Sequence, residues 1–232
     1  MKIAERWQLL CAHAAGVEAS SELVDDRYRS LDRLYTAWGR SYHTWQHVAE
    51  CFEWLDRYDR AHPLDPDARW RLEYAIFYHD AVHEAGRDDN EERSAELAER
   101  QLATLGLSRD FIGDVATLVR ATDHVHSSGL QPRQVASDRA ASLSRLVRDI
   151  DLTILGAERD RFTEYERQIR DEYAHLAERE FRARRGRVLR SLLAREAIYT
   201  TQFFSARLEI AARANLERVI DRFYSGSSRG YT

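Results

Sequence analysis

The feature that most constrains the fold of this chain is an apolar run, residues 74–78, that ends in His79 and Asp80. In a helix that begins near residue 67, four side chains occupy the i, i+3, i+4 and i+7 positions of a buried stripe: Leu72, Ala75, Ile76 and His79. Asp80 lies beside this stripe. A carboxylate that leaves water must be protonated, paired with a cation or bound to a metal. The sequence therefore predicts a positively charged partner beside His79 and Asp80.

Two other segments carry polar side chains on or beside apolar helical stripes. His47 borders the stripe of a helix that begins near residue 44, and His43 lies one turn before it on the same face. Asp151 falls on the stripe of a later helix, whereas Asp149 aligns with the polar side of that helix. Two imidazoles and two carboxylates suit a divalent transition metal such as Mn, Fe, Co, Ni or Zn. We therefore predict a metal site formed by His47, His79, Asp80 and Asp151, in which Asp149 replaces Asp151 if the helical register is different.

Four segments of the chain resemble the HD superfamily of metal-dependent phosphohydrolases: residues 42–47, 77–82, 89–95 and 149–156. More narrowly, they resemble an uncharacterised bacterial branch of predicted HD-type hydrolases, and the likeness continues through residues 185–187 to 215–216. The resemblance implies an all-α fold, an HD-domain helical bundle with additional C-terminal helices. It also implies hydrolysis of a phosphoester of a nucleotide or another small phosphorylated metabolite by a metal-activated water.

The resemblance also suggests catalytic residues. Cyclic-nucleotide phosphodiesterases carry a Tyr-His-x-x-x-His segment like residues 42–47, which implies that His43 protonates the leaving oxygen; support of a metal ligand is the alternative. Asp80 is expected to act in catalysis as well as in metal binding. Glu91 lies in the first turn of a helix, where its charge complements the helix end. As an equal alternative, Glu91 accepts a hydrogen bond from a metal-bound histidine or acts as a general base.

Further candidates depend on position alone. Some HD proteins bind a second metal through extra histidines, and His124 and His126 are the candidates here for a second metal or for substrate. An interaction with the helix dipole is the alternative for both. If they reach the metal, a di-iron HD oxygenase becomes an alternative function; a non-hydrolytic HD protein that uses its metal for ligand sensing or structure is another. Three arginines are candidate phosphate contacts: Arg40, Arg87 and Arg120.

Composition predicts one helical domain. The chain has 232 residues, of which 44% are hydrophobic, ten are glycine and three are proline, so it is long enough for one sizeable core and favours helices. We expect a single HD-type domain over residues 1–232, with a metal-binding core at about 40–156. A helical extension at about 157–224 completes the bundle or forms a homo-oligomer contact. The predicted helices cover residues 4–15, 22–38, 44–60, 67–82, 91–105, 109–125, 138–155, 157–177, 179–195 and 199–223.

Charge and cysteine content bear on location and partners. Cys11 and Cys51 lie in helix interiors and are expected to be core thiols in a reducing compartment, and neither a signal-peptide block nor a membrane-length apolar stretch is present, so we expect a cytoplasmic protein. The net charge is −4, and the basic run 182–187 follows Glu178 and Glu180. This pattern favours a solvated helix face over a nucleic-acid surface. The expected partner is a small phosphorylated substrate, with no membrane and no nucleic acid.

Overall fold

The computed structural model describes residues 1–14, 19–124 and 138–224. Within these ranges every regular element is helical, and the all-α prediction is confirmed. The elements are α1 Ile3–His13, α2 Ser21–Tyr35, α3 Trp45–Ala61, α4 Pro66–Tyr78, α5 Asn90–Thr104, α6 Arg109–Arg120, α7 Asp138–Asp151, a 3₁₀ helix Leu152–Gly156, α8 Arg159–Glu172, α9 Glu178–Leu193 and α10 Gln202–Tyr224. None of the helices described is both long and apolar enough to cross a membrane.

Polar caps explain where two of these helices begin. The carboxylate of Asp65 accepts a hydrogen bond from the Ala68 amide at 2.9 Å, and Pro66 is the first residue of α4. The start of α2 was predicted near Ser21, and the capping side chain is that of Ser20, which accepts from the Leu23 amide at 3.3 Å. Such caps satisfy amide groups that the first turn of a helix leaves open. A proline at the first helical position lacks an N–H that would otherwise need a partner.

The chain forms two compact units, residues 1–148 and 149–232, and the boundary falls within α7. The prediction of a single HD-type domain with an extension from about residue 157 stays a prediction. Each unit has its own buried core, and each is described by itself.

In the first unit, α4 contacts α3, α5 and α6, and its residues from Leu72 onward are buried. Residues 74–78 are at most 1% exposed. The Trp7 ring of α1 packs edge-on against three aromatic rings at the end of α4: Tyr74, Phe77 and Tyr78. An apolar run that covers every side of a helical turn is stable only when it is buried in this way. The apolar run therefore makes α4 the central helix of the first unit.

In the second unit, the 3₁₀ helix packs against α8 and α10, and α9 packs against α10. Asp149 was predicted on the polar side of its helix, and this was wrong: the residue is 1% exposed. Its carboxylate accepts hydrogen bonds from the amides of Thr200 at 2.8 Å and Thr201 at 2.7 Å, just before α10. Burial raises the pKa of the Asp149 carboxyl, while these two amides oppose the rise. Periodicity along one helix cannot show that a distant segment covers its polar side.

The basic run 182–187 lies on α9. Two of its arginines are exposed and pair with acidic residues one turn earlier, Arg182 with Glu178 at 2.6 Å and Arg184 with Glu180 at 2.7 Å. Arg185 is different, because its guanidinium is largely buried and bonds to Glu166 at 2.5 Å. Carboxylates therefore neutralise these three cations within the second unit.

Gly156 offers a test of the packing between the 3₁₀ helix and α10. A Cβ atom at this position would lie 2.7 Å from the Leu208 Cβ and 3.0 Å from the Leu208 carbonyl oxygen. We therefore expect Gly156→Ala to lower the free energy of unfolding by about 1–3 kcal/mol. The space beside Gly113 in α6 is open, so Gly113→Ala should raise the free energy of unfolding by roughly 0.5–1 kcal/mol. Urea unfolding followed by circular dichroism measures both, and changes of the same sign would contradict the packing described.

Candidate metal centre

The chain turns directly after α4, and this turn carries the His-Asp pair. His79 completes the last helical turn, since its amide donates to the Ala75 carbonyl at 2.8 Å, and Asp80 lies in the turn that follows. The predicted helix to residue 82 was therefore too long. The carbonyl groups of a last helical turn need partners outside the helix, and here the Tyr35 hydroxyl donates to the Phe77 carbonyl at 3.1 Å. Burial raises the pKa of the Tyr35 phenol well above its ordinary value, so the hydroxyl remains a donor.

Arg40 fixes the turn from the other side. Its guanidinium donates to three backbone carbonyl oxygens at 2.8 Å each, those of His43, Asp80 and Ala81. These bonds join the segment before α3 to the turn after α4. Arg40 was predicted as a phosphate contact, and that role stays a prediction; the structure gives it a positioning role.

Three predicted ligand atoms of the first unit lie together. The Nε2 atoms of His47 and His79 are 3.0 Å apart. The Oδ2 atom of Asp80 lies 3.4 Å from Nε2 of His47 and 3.1 Å from Nε2 of His79. Both histidines are 2% exposed. The structure therefore brings together, from α3 and the end of α4, three of the four predicted ligands.

The other nitrogen of each imidazole is held by a neighbouring group. Nδ1 of His79 lies 2.9 Å from the Ile76 carbonyl oxygen, so this nitrogen carries the proton and the Nε2 lone pair faces His47. Nδ1 of His47 lies 2.9 Å from the Tyr42 hydroxyl, which can either donate or accept. Partners of this kind fix ring orientation in metal-ligating histidines.

The spacing of the three atoms fits a metal ion. Ligand atoms about 2.1 Å from a metal lie about 3.0 Å apart in octahedral coordination and about 3.4 Å apart in tetrahedral coordination. The three observed separations, 3.0, 3.1 and 3.4 Å, fall within this interval. Two imidazoles and one carboxylate leave further positions for a fourth ligand and for water. The donor set thus fits a divalent transition metal.

His43 and His83 form a second pair of imidazoles in the first unit. Their rings stack with centroids 3.7 Å apart at 21°, and both residues are half-buried. The His43 ring also lies edge-on to His47, with centroids 6.4 Å apart. The predicted catalytic histidine is therefore adjacent to the ligand cluster. The stacking partner His83 was not among the predicted site residues.

The loop after the His-Asp turn is tied to α5. The Ser94 hydroxyl accepts from the Val82 amide at 3.0 Å and donates to the Val82 carbonyl at 3.2 Å. The Asn90 side chain accepts from the Glu84 amide at 3.0 Å and donates to the Glu84 carbonyl at 3.1 Å. Glu91 lies in the first turn of α5 and is half-buried. Its role as hydrogen-bond acceptor for a metal-bound histidine or as general base stays a prediction.

The remaining predicted residues have other placements. Arg87 is exposed and pairs with Asp89 at 2.6 Å, and Arg120 pairs with Glu92 at 2.7 Å and with Glu99 at 3.0 Å. Their roles as phosphate contacts stay predictions.

Of the two candidate residues for a second metal, the structure describes only His124. The predicted helix 109–125 ends at Arg120, so His124 lies in the turn beyond α6 and is half-buried. His126 lies outside the described residues. A second metal or substrate role for either histidine stays a prediction.

Asp151, the predicted fourth ligand, is the last residue of α7, is half-buried and belongs to the second unit. Its role as ligand stays a prediction. The alternative, Asp149, has both carboxylate oxygens bonded to the amides that precede α10.

No protein-family model matches this sequence, and no curated protein matches it. The functional assignment therefore depends on the chemistry of the site itself.

The cluster of His47, His79 and Asp80 leads to a prediction about the metal content of the wild type and of its variants. His47→Ala and His79→Ala each remove one ligand atom, and both variants should lose most of the metal that the wild type retains after dialysis. Elemental analysis of the folded proteins measures this. Added metal should also raise the thermal midpoint of the wild type and leave that of the variants nearly unchanged, because a metal that binds only the folded state stabilises that state.

The matched control is His13→Ala. His13 is exposed, and its Nδ1 atom bonds to the Leu9 carbonyl oxygen of its own helix at 2.7 Å. This variant should retain wild-type metal content. Stoichiometric metal in folded His47→Ala and His79→Ala would show that the site assignment is wrong.

Removal of the Tyr42 hydroxyl should have a smaller effect on metal binding. Tyr42→Phe keeps the ring and removes the hydroxyl that lies 2.9 Å from His47 Nδ1, so metal affinity should fall on the order of 10–100-fold. Tyr28→Phe is the control, since the half-buried Tyr28 ring stacks on Trp45 and makes no contact with His47 that would orient it. Competition with a metal-sensitive dye measures both affinities. Equal affinities in the two variants would contradict a positioning role for the hydroxyl.

Proposed function

We propose that this protein is an HD-type metal-dependent phosphohydrolase that acts on a phosphoester of a nucleotide or another small phosphorylated metabolite. The observation that carries the proposal is the triangle of His47 Nε2, His79 Nε2 and Asp80 Oδ2, with separations of 3.0 to 3.4 Å. The sequence order of these residues supports the same family. A cytoplasmic location is part of the proposal, because both cysteines are buried and neither forms a disulfide, which is typical of a reducing compartment.

The residues that would hold the metal are His47, His79 and Asp80, with Asp151 as the proposed fourth ligand. Asp151 is preferred to Asp149 because the Asp149 oxygens already accept backbone amides. When bound, a divalent metal supplies an activated water and neutralises charge on the phosphoryl oxygens. The role of the chain is to keep both Nε2 atoms and the carboxylate fixed, which the Ile76 carbonyl, the Tyr42 hydroxyl and Arg40 do.

His43 is proposed to protonate the leaving oxygen. It lies in the segment before α3, four residues before His47 and next to the ligand cluster, and is half-buried, so a substrate can reach it. The His83 ring, stacked at 3.7 Å, restricts the rotation of His43. A general acid must hold its proton within hydrogen-bond reach of the departing atom, and a fixed ring favours this.

The proposal gives supporting roles to three further residues, Glu91, Arg87 and Arg120. Glu91 is retained as a general base or as support for a ligand. Arg87 and Arg120 face carboxylates in this structure, so a phosphate would have to compete with Asp89 in one case and with Glu92 in the other. The homo-oligomer contact proposed for the C-terminal helices is independent of the chemistry.

The experiment that tests the function compares leaving groups. His43→Ala should retain metal and lose turnover of alkyl phosphoesters by about 10²–10⁴-fold, the usual contribution of a general acid. A nitrophenolate departs without needing a proton, so turnover of a nitrophenyl phosphoester should fall far less. His79→Ala should lose both activities with its metal. Steady-state kinetics on both substrates, with metal content measured for each variant, provides the comparison.

His62→Ala is the control, since His62 follows the end of α3, is exposed and lies away from this cluster. Equal losses on the two substrate types in metal-loaded His43→Ala would exclude the acid role. Absence of turnover on every phosphoester, with metal bound, would favour the non-hydrolytic alternative. Two irons per chain with oxygen consumption would favour the oxygenase.

A further inference from the structure

Cys51 lies next to the ligand cluster, one helical turn after His47 on α3. Its Sγ atom is 3.8 Å from both ring nitrogens of His47. Sγ also lies within 4.8 Å of the ligand atoms of His47 and His79. The residue is 1% exposed. The sequence predicted a core thiol at this position, and the structure places that thiol beside two inward-facing imidazoles.

The separation of sulfur and nitrogen fits a shared metal. Bonds of about 2.3 Å to sulfur and about 2.1 Å to nitrogen give an N···S separation of about 3.1 Å in an octahedral site and about 3.6 Å in a tetrahedral site. The observed 3.8 Å between Cys51 Sγ and His47 Nε2 is close to the tetrahedral value. The ligand atom of His79 also lies within 4.8 Å of Sγ.

The other cysteine of the chain has a different environment. Cys11 is also buried, but its sulfur accepts a hydrogen bond from the Tyr74 hydroxyl at 3.5 Å. Burial raises the pKa of the Cys11 thiol to about 11. Cys11 thus serves as an ordinary core thiol for comparison, and the sequence contains only these two cysteines.

We propose that Cys51 is a thiolate ligand of the metal held by His47 and His79. The proposal rests on the metal centre of the proposed function and adds a soft ligand to it. On coordination, the S–H bond is replaced by a sulfur–metal bond and the proton passes to the solvent. A thiolate favours Zn²⁺, Co²⁺ or Fe²⁺ over Mg²⁺ and Mn²⁺, which prefer oxygen ligands. Cys51 thus restricts which metals the centre accepts.

Cobalt substitution tests the proposal without measuring activity. The full chain is loaded with Co²⁺, and the ultraviolet and visible spectra are recorded together with the cobalt content. A thiolate ligand gives a sulfur-to-cobalt charge-transfer band in the near ultraviolet, whereas nitrogen and oxygen ligands give only weaker visible bands. We expect the near-ultraviolet band in the wild type and in Cys11→Ser, and its loss in Cys51→Ser.

The outcomes separate this proposal from the proposed function. Bound cobalt with visible bands only would overturn the thiolate ligand and leave the imidazole and carboxylate centre intact. Cobalt that fails to bind, or that binds equally to His47→Ala, would overturn both. A near-ultraviolet band that persists in Cys51→Ser would also overturn the proposal. If Cys51→Ser does not fold, cadmium NMR of the wild type tests the proposal instead. A sulfur ligand shifts the cadmium resonance strongly downfield, whereas a site with only nitrogen and oxygen ligands does not, and this second result would overturn the proposal.

Discussion

The arrangement of the site depends on how the carbonyl groups at the end of α4 are satisfied. Water does not reach the last carbonyl groups of a buried helix, so donors from the protein itself must bind them. The Tyr35 hydroxyl and the His79 ring bind the carbonyls of Phe77 and Ile76, and the Arg40 guanidinium binds the Asp80 carbonyl in the turn that follows. Two of these donors have a second effect: Arg40 brings the His43 segment to the turn, and the bond to Ile76 fixes which nitrogen of His79 faces the cluster. The end of the helix and the orientation of the ligands are thus set by the same contacts.

Helical periodicity predicted much of the fold and the inward-facing ligands. The stripe through Leu72, Ala75 and Ile76 placed His79 in the core, and the stripe of α3 placed His47 beside the core, although His43, predicted on the same helical face, lies before the start of α3 at Trp45. These patterns are local, so a single sequence contains them. The length of α4 was overestimated because its end is set by Tyr35 and Arg40, far away in sequence. Local propensity favours continuation of the helix past residue 79.

One error arises from a contact between distant segments. Asp149 aligned with polar residues of its own helix, and only the amides of Thr200 and Thr201 make it a buried residue. The backbone contacts of Arg40 could not be predicted for the same reason, because two of its acceptors, the carbonyls of Asp80 and Ala81, lie 40 and 41 residues further along the chain. Cys51 did have a local signal, since it follows His47 by one turn. Its apolar surroundings favoured the interpretation as core.

The ties between α5 and the loop after the His-Asp turn have a consequence for how the protein can change. Ser94 holds Val82 and Asn90 holds Glu84, so both anchored positions lie close to Asp80 in the chain. Between them and the start of α5, residues 86–88 are exposed. Insertions or deletions at such an exposed tip leave the backbone bonds of its neighbours intact. This loop can therefore vary in length and sequence among descendants of the chain without displacing His79 or Asp80.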